Sequence, residues 1–438
     1  MRKLLDDILS SLWFRPGLWM LIYTVLALTL VYGELQLHAG EFDRSRYELL
    51  RIDAAGARTM LGAIATAMLT VTSLTFSVIM LAVVQTANAY SPRLLRRYIR
   101  DPLNQHALGI LLGTFLYSMV VLRSIWSREE FVPFIATNVA VALSFVATAA
   151  LLYSLNHVPQ SIKVSSIISL IIEQTETVIA RGFPRDVGRA WEGEGEPKLP
   201  EGAPHELLAG SSGYMQHFDH EKLLPAAERA GVVIRMHWII GDYVLAGTPL
   251  ASVWGKVDAE LEDMIERACM RGSERSSPQD AEFGLDQITD IAVRALSPGV
   301  NDPATAATAI DALTYLLRKY LVHEVATPYR CDLHGQLRLV LPGWSFGEMI
   351  EDGYLRILQY GGQDVLVVRQ LLRACEQLSH VARGEAEREL LWALVEAVHA
   401  HALAAFSGPN QRRQIDRLIE HTTKELGRPP LPSLSANP

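Results

Sequence analysis

Cysteine and charge are both scarce in this chain, and each scarcity excludes something. Three cysteines, Cys269, Cys331 and Cys375, stand far apart. They make neither a disulfide framework nor a cysteine metal site, and they fit a reducing compartment. Charged residues are 20% of the sequence, below the ordinary share of about 25%, and the two halves differ in sign. Up to residue 160 there are 13 Lys/Arg against 10 Asp/Glu; beyond it, 27 against 38. The second part therefore lacks the basic field that phosphate binding needs, which excludes nucleic acid as a partner.

Catalytic patterns are missing too. HELLA at His205, HEKLL at His220 and HEVAT at His323 each lack the second histidine of a zinc-protease helix. No G-x-S-x-G turn occurs, and Gly255-Lys256 has neither the upstream glycine nor the following Ser/Thr of a phosphate loop. GEGEP near Gly193 lacks the context of a dinucleotide fold. His217 and His220 flank Asp219 without further ligands and read as surface histidines rather than a metal pair. The expectation is a protein with no enzymatic role, no cofactor and no metal.

What the chain has in abundance is long apolar sequence. Gly17–Leu37, Thr59–Val84, His106–Ile125 and Phe131–Leu155 are each long enough to cross a bilayer. A helix rises 1.5 Å per residue, so ~20 residues cover a hydrocarbon core of about 30 Å. The fold class expected is a mainly α integral membrane protein, with four transmembrane helices followed by a helix-rich α+β cytosolic domain. With the N-terminus inside, eight Lys/Arg flank the inner ends and six the outer loops. That bias places both termini in the cytoplasm of a bacterial inner membrane. The first stretch is too long for a signal h-region and reads as retained.

Residues 1–16, MRKLLDDILSSLWFRP, form an amphipathic segment suited to the membrane surface. Residues 17–160 hold the four spans. The second is unusual: Thr59, Gly62, Thr66, Thr70, Ser73 and Ser77 share one side at 100° per residue, and Met80 and Val84 continue the line. One reading is helix packing through small residues, with hydroxyls bonded to their own backbone. The other is a pore wall, with Met80 and Val84 as an apolar constriction. Thr72 and Thr75 lie off the stripe, which weighs toward packing.

YSPRLLRRYIRDP follows, where Arg93, Arg96, Arg97 and Arg100 share a face. It reads as a basic interfacial helix on anionic lipid headgroups, or as a ring of charge at a pore mouth. Gly109 and Gly113 give the third span a G-x-x-x-G spacing that permits close helix contact. Residues 161–184 read as a stalk helix whose Val164, Ile168, Ile171, Thr175 and Val178 repeat suits subunit assembly.

Residues 185–213, rich in Gly, Pro and Glu, read as a flexible linker, 214–428 as the cytosolic domain and 429–438 as a disordered tail. Within the domain, GDYVLAGTPLASV is similar to the barrel hairpins of lipoyl-type and membrane-fusion domains, but without a lysine at its tip for cofactor attachment. Strands are expected at Gln336–Leu341 and Tyr354–Ile357. SPGVNDPATA stands apart: Ser297, Asn301 and Asp302 surround either a rigid helix–helix corner, which the capping pattern favours, or a small polar ligand.

FSVIMLAVVQTANAYSPRLLRRYIRD, LGTFLYSMVVL and FGLDQITDIAVRALSPGVNDPATA together resemble bacterial predicted membrane proteins grouped as domain-of-unknown-function family 2254. The resemblance runs from about Leu18 to Leu426 and implies a multi-pass inner-membrane protein with a cytosolic C-terminal region. It supplies no activity and no catalytic residues. The leading functional expectation is a homo-oligomeric channel or transport-like protein in the lipid bilayer, its second span lining the passage. The alternative is a membrane-anchored scaffold or sensor without a pore.

Overall fold

The computed structural model describes residues 13–37, 53–89, 101–125, 132–161, 163–181, 188–191, 193, 195–275, 280–322 and 328–436. Residues 1–12 of the amphipathic segment, and Arg93, Arg96, Arg97 and Arg100, lie outside these. The chain forms two units, Met1–Ser166 and Ile167–Pro438.

In the first unit, α1 (Phe14–Leu37), α2 (Ala54–Ala89), α3 (Pro102–Ser124) and α4 (Phe134–Ser161) are each long and apolar enough to cross a membrane. The 36 residues of α2 reach about 54 Å, well beyond a hydrocarbon core of about 30 Å. α3 is the hub, with the largest buried share of the four and packing against each of the others. Its glycines make this possible. A Cβ at Gly109 would stand 2.7 Å from the Trp19 ring, and one at Gly113 would stand 2.9 Å from the Tyr23 ring. The G-x-x-x-G spacing is thus a pair of notches that admit the aromatic side chains of α1.

Polar groups within this bundle are served locally, as a medium without water demands. Thr114 and Ser118, both fully buried, donate to the carbonyls of Ile110 and Thr114. Tyr117 donates to the carbonyl of Ala136 at 2.8 Å, and the amide of Ala136 donates to Glu34 at 2.6 Å. That carboxylate sits at the positive N-terminal end of α4, where a negative charge is favoured. At the other end Asp101 caps α3, accepting from the Leu103 amide, and lies 2.8 Å from His157 of α4.

The second unit begins with α5 (Val164–Arg181), whose residues from Ile167 on belong to it. Ile168, Ile171, Thr175 and Val178 are buried within the single chain, and Val164 is half-buried. A Cβ at Gly284 would overlap Thr175, and Tyr315 donates to Glu176 at 2.6 Å. The repeat expected to assemble subunits is therefore spent on the unit's own helices, because Gly284 gives Thr175 a seat.

A six-stranded sheet runs β1 (Arg189–Ala190), β8 (Tyr329–Cys331), β9 (Leu337–Val340), β4 (Val233–Met236), β6 (Pro249–Trp254), β2 (His205–Leu208). All neighbours are antiparallel except β4 and β9. A smaller sheet orders β5 (Tyr243–Val244), β3 (Gly213–Phe218) and β7 (Cys269–Gly272). α6 (His220–Ala230) and α7 (Ala259–Ala268) cover them, and the core gathers Met215, Leu223, Ile234, Leu250, Val253 and Ile265. β5 and β6 thus fall in different sheets, with Gly247 at φ 82° in the turn between them, so the lipoyl-like hairpin is not a closed two-strand unit.

Two segments are more ordered than their composition suggests. The 185–213 stretch, read as linker, supplies β1 and β2, because Leu207 is apolar enough to enter the core. The 429–438 tail, read as disordered, anchors at Asp416, which accepts from Ser433, Ser435 and the Leu434 amide while Leu434 is fully buried.

The remainder is helical: α8 (Ala281–Ala295), α9 (Pro303–Val322), α10 (Phe346–Ile350), α11 (Arg356–Gly361), α12 (Val365–Ser379), α13 (Glu385–Ala405) and α14 (Pro409–Glu425). A π-helical turn, Glu351–Leu355, stands where a strand was expected at Tyr354–Ile357. Ile350, Tyr354, Ile357 and Leu358 are all buried, a helical rather than an alternating spacing, and Tyr354 meets the Thr314 hydroxyl at 2.8 Å.

Gly113→Ala should lower the thermal midpoint in detergent by an amount corresponding to about 1–3 kcal/mol, the usual cost of overpacking. Gly62→Ala, with nothing within 4 Å of its Cβ, should leave that midpoint unchanged or raised. Circular dichroism melts of both variants decide this.

Candidate functional site

The stripe on α2 faces out of its own bundle. Thr59, Thr66, Thr70, Ser73 and Ser77 are exposed, whereas Thr72 and Thr75 are buried. The two threonines that lie off the stripe are the ones that pack against neighbouring helices. Gly62 and Met80 are half-buried, and both fall about 60° to the same side of Thr59 at 100° per residue. Met80 accordingly packs on the cluster of Ile79, Val83, Leu108 and Val158. It does not stand beside Val84 on the open face; Leu81 and Val84 do, at 60% and 52% exposure.

Each hydroxyl of the stripe for which a bond is seen is satisfied within α2. Thr59 donates to the Ala55 carbonyl, Thr70 to Thr66, Ser73 to Leu69 and Ser77 to Ser73, at 2.8–3.0 Å. Among the described residues these side chains are exposed on the outer side of α2, so a passage enclosed by the four helices of a single copy is not what the stripe builds.

The corner between α8 and α9 draws its polar groups inward to the backbone. Ser297 donates to the Arg294 carbonyl at 2.7 Å, and its own carbonyl accepts from the amides of Val300 and Asn301. Asn301 has φ 49°, the left-handed region that asparagine tolerates. Asp302 accepts from the Thr305 hydroxyl at 2.6 Å and the Thr305 amide at 3.1 Å. These bonds hold its carboxyl below the usual range. The arrangement is that of a cap and a turn.

Across this span of sequence the predicted membrane protein family DUF2254 matches residues 9–377. The chain belongs to this family. Among its relatives are the uncharacterized protein Mb1321c of Mycobacterium bovis and the uncharacterized protein Rv1290c of Mycobacterium tuberculosis. Each is 30% identical over 382 residues, covering 85% of this chain and 73% of the relative. No solved structure matches the chain.

This DUF2254 protein also holds a charged cluster that the sequence reading passed over. Arg275 bonds Asp280 at 2.9 Å, Glu282 at 3.0 Å and Asp286 at 2.8 Å, and its guanidinium lies 5.5 Å from the Phe283 ring centre. The carboxylates come from the cap and first turns of α8, with Asp242 adding to the negative field at Asp280. Burial raises Asp280, and it pushes Glu282 up to about 7, helped by Asp286 and Asp280 and opposed by Arg275. The only sequence cue was acidic spacing in QDAEFGLD, which resembles an ordinary helix start.

His220 departs from expectation as well. It is not a surface histidine: its Nδ1 is buried without a partner, and burial, with His217 and Arg330 adding, pushes its pKa down to about 4.

These two groups act oppositely on stability. Glu282, ordinarily near 4.5, binds its proton more tightly in the folded protein, so its contribution is lost as pH rises toward and through about 7. His220, ordinarily near 6.5, binds its proton less tightly when folded, so its contribution is lost as pH falls below that value. Glu282→Gln should therefore stabilise the protein at pH 8 by about 1–3 kcal/mol while changing little at pH 5. Thermal unfolding of both forms between pH 5 and 8 measures the difference; parallel curves would remove the assignment.

Proposed function

We propose that this DUF2254 protein is a homo-oligomeric channel or transport-like protein of the bacterial inner membrane. In this reading the open face of α2 lines the passage where copies meet. The supporting observation is a contrast between outer faces. α1 presents Leu18, Leu21, Ile22, Val25 and Leu28, and α4 presents Phe145, Val146 and Leu152, as lipid contact requires. α2 instead presents a band of hydroxyls with alanines 63 and 67 among them, flanked on its two sides by the exposed Leu69 and Leu74. Small and hydroxylated residues are what helix contacts and water-facing walls use. Leu81 and Val84 then form the apolar constriction, opened and closed by dewetting.

Both termini are placed in the cytoplasm by the Lys/Arg bias, which makes the second unit a cytosolic regulatory domain. Arg93, Arg96, Arg97 and Arg100 are assigned to anionic headgroups at the inner surface. The reading is non-enzymatic and requires no cofactor.

A membrane-anchored sensor without a pore is the second reading, favoured by the fact that Thr59, Thr70, Ser73 and Ser77 donate to their own helix and need no water. Two measurements separate the readings. Ser73→Cys should form disulfide-linked dimers on oxidation in native membranes if α2 faces meet. Val84→Ser should raise resting conductance of reconstituted bilayers several-fold. Crosslinking without conductance in either form would favour the sensor; neither effect would remove both the contact and the passage.

A further inference from the structure

β2 ends the six-stranded sheet, and no strand among the described residues pairs with its outer side. A groove of about 490 Å³ lies there, lined by His205, Glu206, Leu207 and Leu208 of β2, by Gly210, and by four residues of α7. Successive residues of a strand point to opposite faces of its sheet. A groove touched by four consecutive strand residues therefore runs along the strand's edge and not across one face.

The α7 wall is Ala259, Glu262, Asp263 and Glu266, spaced 3, 1 and 3 and so sharing one helical side. Four strand residues at about 3.3 Å each span about 13 Å, close to the rise of that wall, so the groove has the length of a short extended segment. Its lining holds four carboxylates and neither lysine nor arginine.

Those carboxylates are only partly committed. Glu262 meets His205 at 2.9 Å with both side chains nearly half exposed. Asp263 meets Arg267 at 2.9 Å, both largely in solvent. Glu206 accepts from Ser252 at 2.8 Å and lies 3.4 Å from His237. Glu266 pairs with Arg271 and accepts from the Gly210 amide through one oxygen, while its Oε2 has no partner. Glu262 and Asp263 stand in water, so a basic side chain entering the groove exchanges their hydration for charge-assisted bonds.

We propose that this groove docks an extended, basic peptide segment of a partner protein. The segment adds as a strand to the open edge of β2, and its Arg or Lys side chains reach Glu262, Asp263 and Glu266. Main-chain bonding to β2 supplies affinity that is indifferent to sequence, and the acidic wall selects for positive charge. Leu208, 55% exposed at one end of the groove, offers an apolar contact to the segment's uncharged side chains. The proposal goes beyond the passage assigned to α2 and does not depend on it.

The test uses the full chain in nanodiscs of phosphatidylcholine, whose zwitterionic surface does not capture basic peptides. A fluorescent peptide of alternating Arg and Thr is titrated by anisotropy, beside a Glu-Thr counterpart and an Arg-Thr version N-methylated at alternate residues. Saturable binding of the Arg peptide alone is expected. Glu262→Gln with Asp263→Asn, both at exposed side chains, should weaken it about tenfold or more. Equal binding of the N-methylated peptide would overturn strand addition, and unchanged affinity in the double variant would overturn the site. Absence of binding to the wild-type protein would overturn the proposal outright.

Discussion

A hydroxyl or amide placed in hydrocarbon has no water to turn to, and the first unit is organised around that fact. Thr70, Ser73, Ser77, Thr114 and Ser118 all donate to a carbonyl four residues back in their own helix. Groups that cannot be served this way sit at helix ends, where Glu34 receives the Ala136 amide and Asp101 the Leu103 amide. With polar demands met locally, the helices need only fit one another. Gly109 and Gly113 provide the fit by admitting Trp19 and Tyr23. The outer face of α2 follows from the same rule, since self-satisfied hydroxyls can stand exposed at little cost.

The second unit is governed by a different solvent and spends charge differently. Carboxylates stand in water at the edge of β2, but around Arg275 they are crowded and partly withdrawn from it. Burial is the main reason Glu282 holds its proton to near neutrality, and Asp286 and Asp280 add to it against the opposing pull of Arg275. His220 is the converse case, a base kept neutral by enclosure.

The spans were legible because apolar length has few other uses in a chain, and α2 showed its stripe through simple helical periodicity. What the sequence could not tell was which way the stripe faced. Thr72 and Thr75 differ from Thr70 and Ser73 only in angle, and the angle becomes meaningful once α3 is in place beside it. The heptad-like pattern of α5 misled for a related reason. A buried seam looks the same whether another copy or the chain's own α8 and α9 cover it, and Gly284 gave no hint of holding Thr175. The edge groove was hidden because β2 and α7 lie some fifty residues apart in sequence, and HELL carries no strand signature. The 185–213 region read as linker because glycine, proline and glutamate dominate it, although the two residues of β1 and the four of β2 enter the sheet. The corner at Ser297–Asp302 was readable in advance, since capping chemistry is local.

The attachment of the carboxyl-terminal segment to Asp416 bears on how the molecule is handled. Leu434 is fully enclosed, and its neighbours on either side are tied to one carboxylate of α14. An exopeptidase digesting inward from that terminus would meet a physical stop near Leu434. Where it halts, and how its progress changes as the solution is warmed, would report on the loosening of α14 without any label.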